Sequence, residues 1–169
     1  MNFEYTHLLP NDFSAQSRVW MYQSSRPFGM MEALNIEGQL EQFIANWKSH
    51  ADPVKGYANL FFGQFIVLIA DETSTGVSGC STDSSVRLIK QIEAEFNVQL
   101  FDRQHLAFII KDQVERIPLS QFNYAIENGF IHLDTPYFNN TVQTLDELKH
   151  QWIIPVKESW LAKRVQPAS

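Results

Sequence analysis

The chain has 169 residues, 44% hydrophobic, 13% aromatic and 19% charged, which is enough for one domain with a sizeable core. Its 13 Lys and Arg against 19 Asp and Glu, a net charge of −6, argue against a nucleic-acid partner, because affinity for a polyanion comes largely from basic side chains displacing counterions. Cys80 is the single cysteine, which excludes an intrachain disulfide and any multi-cysteine zinc or iron–sulfur site within one chain.

The stretch Met1 to His7 has no basic run followed by an apolar one, which predicts a cytoplasmic protein without a secretory leader. Arg18 to Ser24 alternates, with Val19, Met21 and Gln23 on one face and Trp20 and Tyr22 on the other, the period of a strand. From about Met30 to His50, residues Ala33, Ile36, Leu40, Phe43, Ile44 and Trp47 recur at three- and four-residue spacings, one face of a helix. Gly38 weakens that helix by about 1 kcal/mol relative to Ala. Ala51 to Gly56 reads as a turn, because Pro53 blocks a helix and Gly56 permits unusual backbone angles.

Leu60 to Ala70 is rich in Phe, Ile and Val with little alternation, as in a long central strand covered on both faces. It is also far short of the ~20 residues of a membrane helix. Asp71 to Ser81 reads as a loop. Val86, Ile89, Ile92 and Phe96 then mark a second helix, with Ser81, Thr82 or Asp83 as its cap.

Gln104–Ile110 and Gln113–Ile117 flank Lys111-Asp112, the spacing of a hairpin, although Lys-Asp lacks the favoured glycine. Ser120 to Asn128 reads as a short helix ended by Gly129, and Tyr137-Phe138 as a brief strand before the turn Asn139-Asn140-Thr141. Thr144 with Glu147 has the spacing of a capping box, and the piece Trp152 to Arg164 contains Pro155 and a predicted helix carrying Trp160. Strands and helices interleave without internal repeats, so one α+β domain is expected over residues 1–169: a mixed or antiparallel sheet with helices packed against it.

The stretch Gly76 to Ser85 combines flexible backbone, a thiol and hydroxyls. If a helix starts near Thr82, Cys80 lies beside its free N–H groups, which lower a thiol pKa and make Cys80 a candidate nucleophile, with Asp83 or Asp71 orienting a base. The same N–H groups, with Gly79, Ser81 and Thr82, form a candidate anion site. The plainer reading is a buried cysteine among helix-capping residues.

Two sharper motifs fail. Six residues rather than five separate Cys80 from Arg87, against a phosphatase loop, and no Gly-Lys-Ser/Thr exists for a Walker motif. The histidines lack metal-ligand spacing, so no metal is expected, and the acid pairs Asp71-Glu72 and Asp146-Glu147 point apart on any regular element. Asp102-Arg103 is a candidate for a ligand carboxylate, with an ion pair between the two as the simpler reading. Among the tryptophans, Trp47 reads as core and Trp160 as an interface residue.

The stretches Ser17 to Ser24, Ser78 to Ser85, Phe101-Asp102-Arg103 and Phe138-Asn139-Asn140, with the closing Trp152, Pro155 and Ser159-Trp160, resemble a family of small bacterial proteins, mostly from Bacteroidetes, that often carry an automatic "ABC transporter ATPase" label. The chain contradicts that label, since it lacks the Walker lysine motif and the Leu-Ser-Gly-Gly signature. Residues 105–156 are similar to GYF-like interaction modules in the order hairpin, Pro118-Leu119-Ser120, helix, Gly129-Phe130-Ile131, Asp134-Thr135-Pro136 and later Trp152, with a longer insert between Asn139 and Trp152. That likeness implies partner binding.

The chain is therefore expected to be a cytoplasmic module that binds a protein partner or small ligand, able to pair as a homodimer, without catalysis, cofactor or membrane contact. The rival expectation is a cysteine-dependent enzyme or thiol sensor built on Cys80.

Overall fold

In the computed structural model, which describes residues 1–76 and 79–165 and, of Gly79 and Cys80, the backbone alone, β1 (Arg18–Gln23) forms as its alternation predicts. It leads into α1 (Met30–Asn46). That helix starts without a side-chain cap on Gly29. Instead the Glu32 carboxylate accepts from the Gly29 N–H at 2.8 Å, and Arg26 holds Glu32 through two 2.9 Å bonds.

The helix ends at Asn46 rather than His50, and the next residues form a small hairpin, β2 (Lys48–Ser49) with β3 (Asp52–Pro53). His50 and Ala51 turn it with φ of 51° and 73°. Gly56 belongs to the following strand, β4 (Lys55–Phe61), and is needed for close approach rather than for a turn. A Cβ there would lie 2.7 Å from the Trp47 ring.

The expected long strand is also corrected. The chain reverses after Phe61 through Phe62 and Gly63, with φ of 55° and 64°, and returns as β5 (Phe65–Asp71), whose Phe65 faces Phe61 across the pair. The turn escapes the pattern because its own Phe62 is apolar and stacks on Trp152 at 5.6 Å. β5 does lie between two neighbours, in the antiparallel order β1-β5-β4, and both its faces are covered. Ile66 and Leu68 pack with Ile36, Leu40, Ile89 and Ile92, while Phe65, Val67 and Ile69 pack with Phe138, Leu145, Leu148 and Trp152.

Then α2 (Gly79–Phe96) begins before the expected cap. Ser81, Thr82 and Asp83 therefore lie inside its first turns, where the Ser84 and Ser85 hydroxyls donate to the Ser81 and Thr82 carbonyls at 2.8 and 2.6 Å. The predicted second hairpin forms as β6 (His105–Ile110) with β7 (Gln113–Pro118). Lys111 and Asp112 adopt φ of 52° and 61°, the left-handed pair of a tight hairpin turn. Replacing them by Asn-Gly, which enters that region at lower cost, is expected to raise stability by about 1 kcal/mol. A urea midpoint that stays put or falls would show that side-chain contacts, not backbone preference, hold this turn.

After a 3₁₀ turn at Leu119–Gln121, α3 (Phe122–Glu127) ends as expected before Gly129 at φ 76°. β8 (Pro136–Phe138) follows, and α4 (Leu145–Gln151) is capped by the Thr144 hydroxyl, which accepts from the Glu147 N–H at 3.1 Å. The Glu147 carboxylate reaches back one residue further than in a capping box, to the Gln143 N–H. The closing piece is β9 (Ile153–Pro155) and two 3₁₀ turns, Val156–Glu158 and Trp160–Arg164, the last standing where the sequence predicts a helix carrying Trp160. Ile153 pairs with Phe138 and Pro155 with Pro136, and proline is tolerated at such a sheet edge.

The second sheet is antiparallel in the order β7-β6-β8-β9, and the α+β expectation holds. β6 is two-faced like β5. Ala107 joins the cluster of Phe65 and Trp152, while Leu106 and Phe108 pack with Phe122, Ala125 and Leu161. The order of layers is thus α1 and α2, the first sheet, the second sheet, then α3 with the terminal turns. Burial of each large apolar side chain in these clusters contributes about 1.5–3 kcal/mol.

Candidate ligand-binding cleft

The predicted anion and thiol site divides as follows. Gly79 and Cys80 occupy the first turn of α2, and the Cys80 thiol lies outside the described residues, as does Ser78. Ser81 is buried and its carbonyl accepts from the Trp47 indole at 3.0 Å, Thr82 is half-buried and Asp83 is exposed. The three side chains therefore point to different environments around the helix.

Asp102 and Arg103 do not pair with one another. The Asp102 carboxylate lies 2.5 Å from His105 Nδ1 and 3.5 Å from the Arg116 guanidinium, and it accepts from the Gln104 N–H at 2.7 Å. Burial raises its pKa, but these three partners together outweigh burial and hold it below the usual aspartate value. Arg103 has no hydrogen-bond or ion-pair partner among the described residues.

Arg103 stands at a cleft of about 230 Å³ where the two sheets meet. β1 contributes Met21, Tyr22 and Gln23, the segment after α2 contributes Leu100 to Arg103, and β6 contributes His105 and Leu106. The far side is Tyr137 and Phe138 of β8, then Asn140, Thr141 and Trp160. A second, wider hollow shares Met21, Tyr22, Arg103, Asn140 and Thr141 and runs along β1 toward Arg18.

The floor is a fixed amide chain. Gln23, 7% exposed, donates to the His105 carbonyl at 3.1 Å and accepts from Asn140 at 2.9 Å. Asn140 in turn accepts from the Trp152 indole at 3.0 Å. These bonds satisfy the amides and leave other groups to face the cleft.

Tyr22 is 8% exposed, touches Phe101 edge-on at 5.4 Å, and has a hydroxyl with no hydrogen-bond partner among the described residues. Burial pushes that hydroxyl up, against the opposing charge of Arg103. Tyr137, 3% exposed, accepts from the Trp160 indole at 3.1 Å, while its own hydrogen has no acceptor among the described residues. Burial pushes it up to about 12 against that indole bond. Both phenols are therefore neutral donors at physiological pH.

His105 completes the set. An ionised carboxylate only accepts, so the Nδ1 beside Asp102 carries a proton, and in the neutral ring Nε2 presents a lone pair. Nε2 has no protein partner among the described residues. The cleft thus offers one unpaired cation, two phenolic donors and one imidazole acceptor between apolar walls. Of the predicted residues it unites Asp102, Arg103 and Trp160, and it is remote in chain position from Gly79–Asp83.

Sequence reasoning missed Tyr22, His105 and Tyr137. The sole local signal was the Asp102-to-His105 spacing, which gains meaning when the chain turns into β6. A larger groove of about 890 Å³ lies between the β6–β7 hairpin and α3, beside the exposed Tyr124 and Phe130, within the stretch likened to interaction modules. No helix of the described residues is long and apolar enough to cross a membrane, and among them no group of three or more His, Cys, Asp and Glu could hold a metal. No family model, curated protein or solved structure matches the chain.

Proposed function

We propose that the protein is a small-molecule-binding module whose ligand is a small organic acid with an apolar body, seated in the cleft between the two sheets. The observation that carries this reading is the exposed Arg103, without a hydrogen-bond or ion-pair partner among the described residues, beside a Tyr22 hydroxyl that is likewise unpartnered there and open to the cleft. A carboxylate would take the guanidinium and the phenol together in charge-assisted bonds. Leu100, Leu106 and Phe138 would cover the apolar body, and the volume, just under the ~300–1,000 Å³ of drug-sized sites, suits a small molecule.

Benzoate and its uncharged isostere benzamide separate this reading from plain apolar binding. Saturation-transfer NMR is expected to show benzoate bound at least about tenfold more tightly than benzamide. Arg103→Gln and Tyr22→Phe should each weaken benzoate by a similar factor, the value of one hydrogen bond to a charged group. Benzoate binding that ignores both substitutions, or no binding at millimolar concentration, would rule the site out.

A further inference from the structure

We infer that the cleft also moves a proton on its ligand, with His105 as the base and a 2-oxo acid as the substrate class, an inference that rests on the acid-binding reading above. The geometry joins three things that binding alone does not require. His105 Nδ1 is held by a carboxylate at 2.5 Å, which orients the ring and stabilises the imidazolium that forms when Nε2 takes a proton. Nε2 has no protein partner among the described residues, and His105 lines the cleft. Tyr22 and Tyr137 each keep a hydroxyl hydrogen with no acceptor among the described residues, on side chains 8% and 3% exposed. Both residues line the same cleft, and a neutral donor of this kind suits an oxygen that gains negative charge during reaction.

A carboxylate alone does not acidify its neighbouring C–H enough for an imidazole to remove the proton. A ketone beside it does, and it supplies the oxygen on which charge collects. With the carboxylate on Arg103, His105 Nε2 takes a proton from the carbon next to the ketone. The C–H bond breaks, its electron pair becomes the new C=C bond, and the carbonyl π pair moves onto oxygen, where a tyrosine hydroxyl donates. The imidazolium then returns the proton to carbon or delivers it to the enolate oxygen. The net change is keto–enol isomerisation, with no oxidant or reductant consumed. Asp102 is a positioning residue in this step.

The test uses 4-methyl-2-oxopentanoate in D₂O with the full chain. Wild-type protein is expected to speed exchange of the C3 protons, followed by ¹H NMR, about 100-fold or more over buffer, the usual scale of a positioned base. His105→Gln should abolish that acceleration while saturation transfer still reports the bound acid, and Tyr137→Phe should slow exchange more than it weakens binding. Acid that binds to wild type without exchanging overturns the proton-transfer role and leaves the binding reading standing, whereas acid that does not bind overturns both. Exchange that persists in His105→Gln also overturns the assignment. If that variant melts early, benzoate competition on wild type decides the matter. Suppressed exchange places the reaction in the cleft, and unaffected exchange removes it from there.

Discussion

Replacing Trp152 by alanine is expected to lower the free energy of unfolding by about 3–5 kcal/mol, the range for deleting a large buried aromatic side chain. Trp152 is 0% exposed, with Tyr5 at 4.9 Å, Phe61 at 5.7 Å, Phe62 at 5.6 Å, Phe65 at 5.5 Å and Phe138 at 5.6 Å between ring centroids. These partners come from the N-terminal segment, the β4–β5 hairpin and β8, so one cavity would loosen both sheets at once. The indole also donates to Asn140, which holds Gln23 in the cleft floor. Trp152→Phe should therefore cost less stability but leave the Asn140 carbonyl unpaired and weaken ligand binding. Urea denaturation of both variants checks the order. A loss below about 1.5 kcal/mol for alanine would mean that the surroundings collapse onto the vacancy and that Trp152 is not the joint between the sheets.

Asp71→Asn should cost about 1.5–3 kcal/mol at neutral pH, the scale of hydrogen bonds to a charged group, and should flatten the acid limb of the stability curve. The Asp71 side chain is 3% exposed. It accepts from the Ser14 N–H at 3.0 Å and from the N–H and hydroxyl of Thr73 at 3.0 and 2.7 Å, with Lys55 Nζ 3.6 Å away. The Ser14 and Thr73 bonds in particular, with a smaller contribution from Lys55, hold its pKa near 2 against burial, below the ordinary 3.8.

A folded-state pKa below the unfolded one means that the carboxylate stabilises the fold fully above pH 4. That contribution drains away as the pH falls from about 4 toward 2. Asparagine keeps one acceptor but turns an amide NH₂ toward donors, so the loss should be present at pH 7 and shrink toward pH 2. Urea melts of wild type and variant across that range isolate Asp71, since Glu32 and Asp102 titrate alike in both. Parallel curves would show that the carboxylate adds nothing net.

Local patterning carried most of the elements. Alternation in Arg18–Gln23, the three-and-four spacing of α1 and α2, the two-residue gap at Lys111-Asp112, the Thr144 cap and Gly129 all lie where near-neighbour sterics and periodicity dictate. The misses share a cause. Phe62 is a turn residue that is apolar because it fills the space beside Trp152, Gly56 is small because Trp47 crosses it, and Ile153–Pro155 is a strand because Ile153 and Pro155 pair with β8. In each case a contact distant in the chain outweighed a weak local preference.

The same division runs through the candidate site. Composition and motif spacing argue against a polyanion partner, show that no Walker motif is present, and single out Asp102 and Arg103 from their neighbours. Which of the two stays unpaired was settled by β6 and β7, which bring His105 and Arg116 to the Asp102 carboxylate and leave Arg103 to the cleft. Tyr22, His105 and Tyr137 are separated by 83 and 32 residues along the chain and meet where the two sheets join. Pairing at that range depends on burial and on long-range strand order, neither of which is encoded in the spacing of any short stretch.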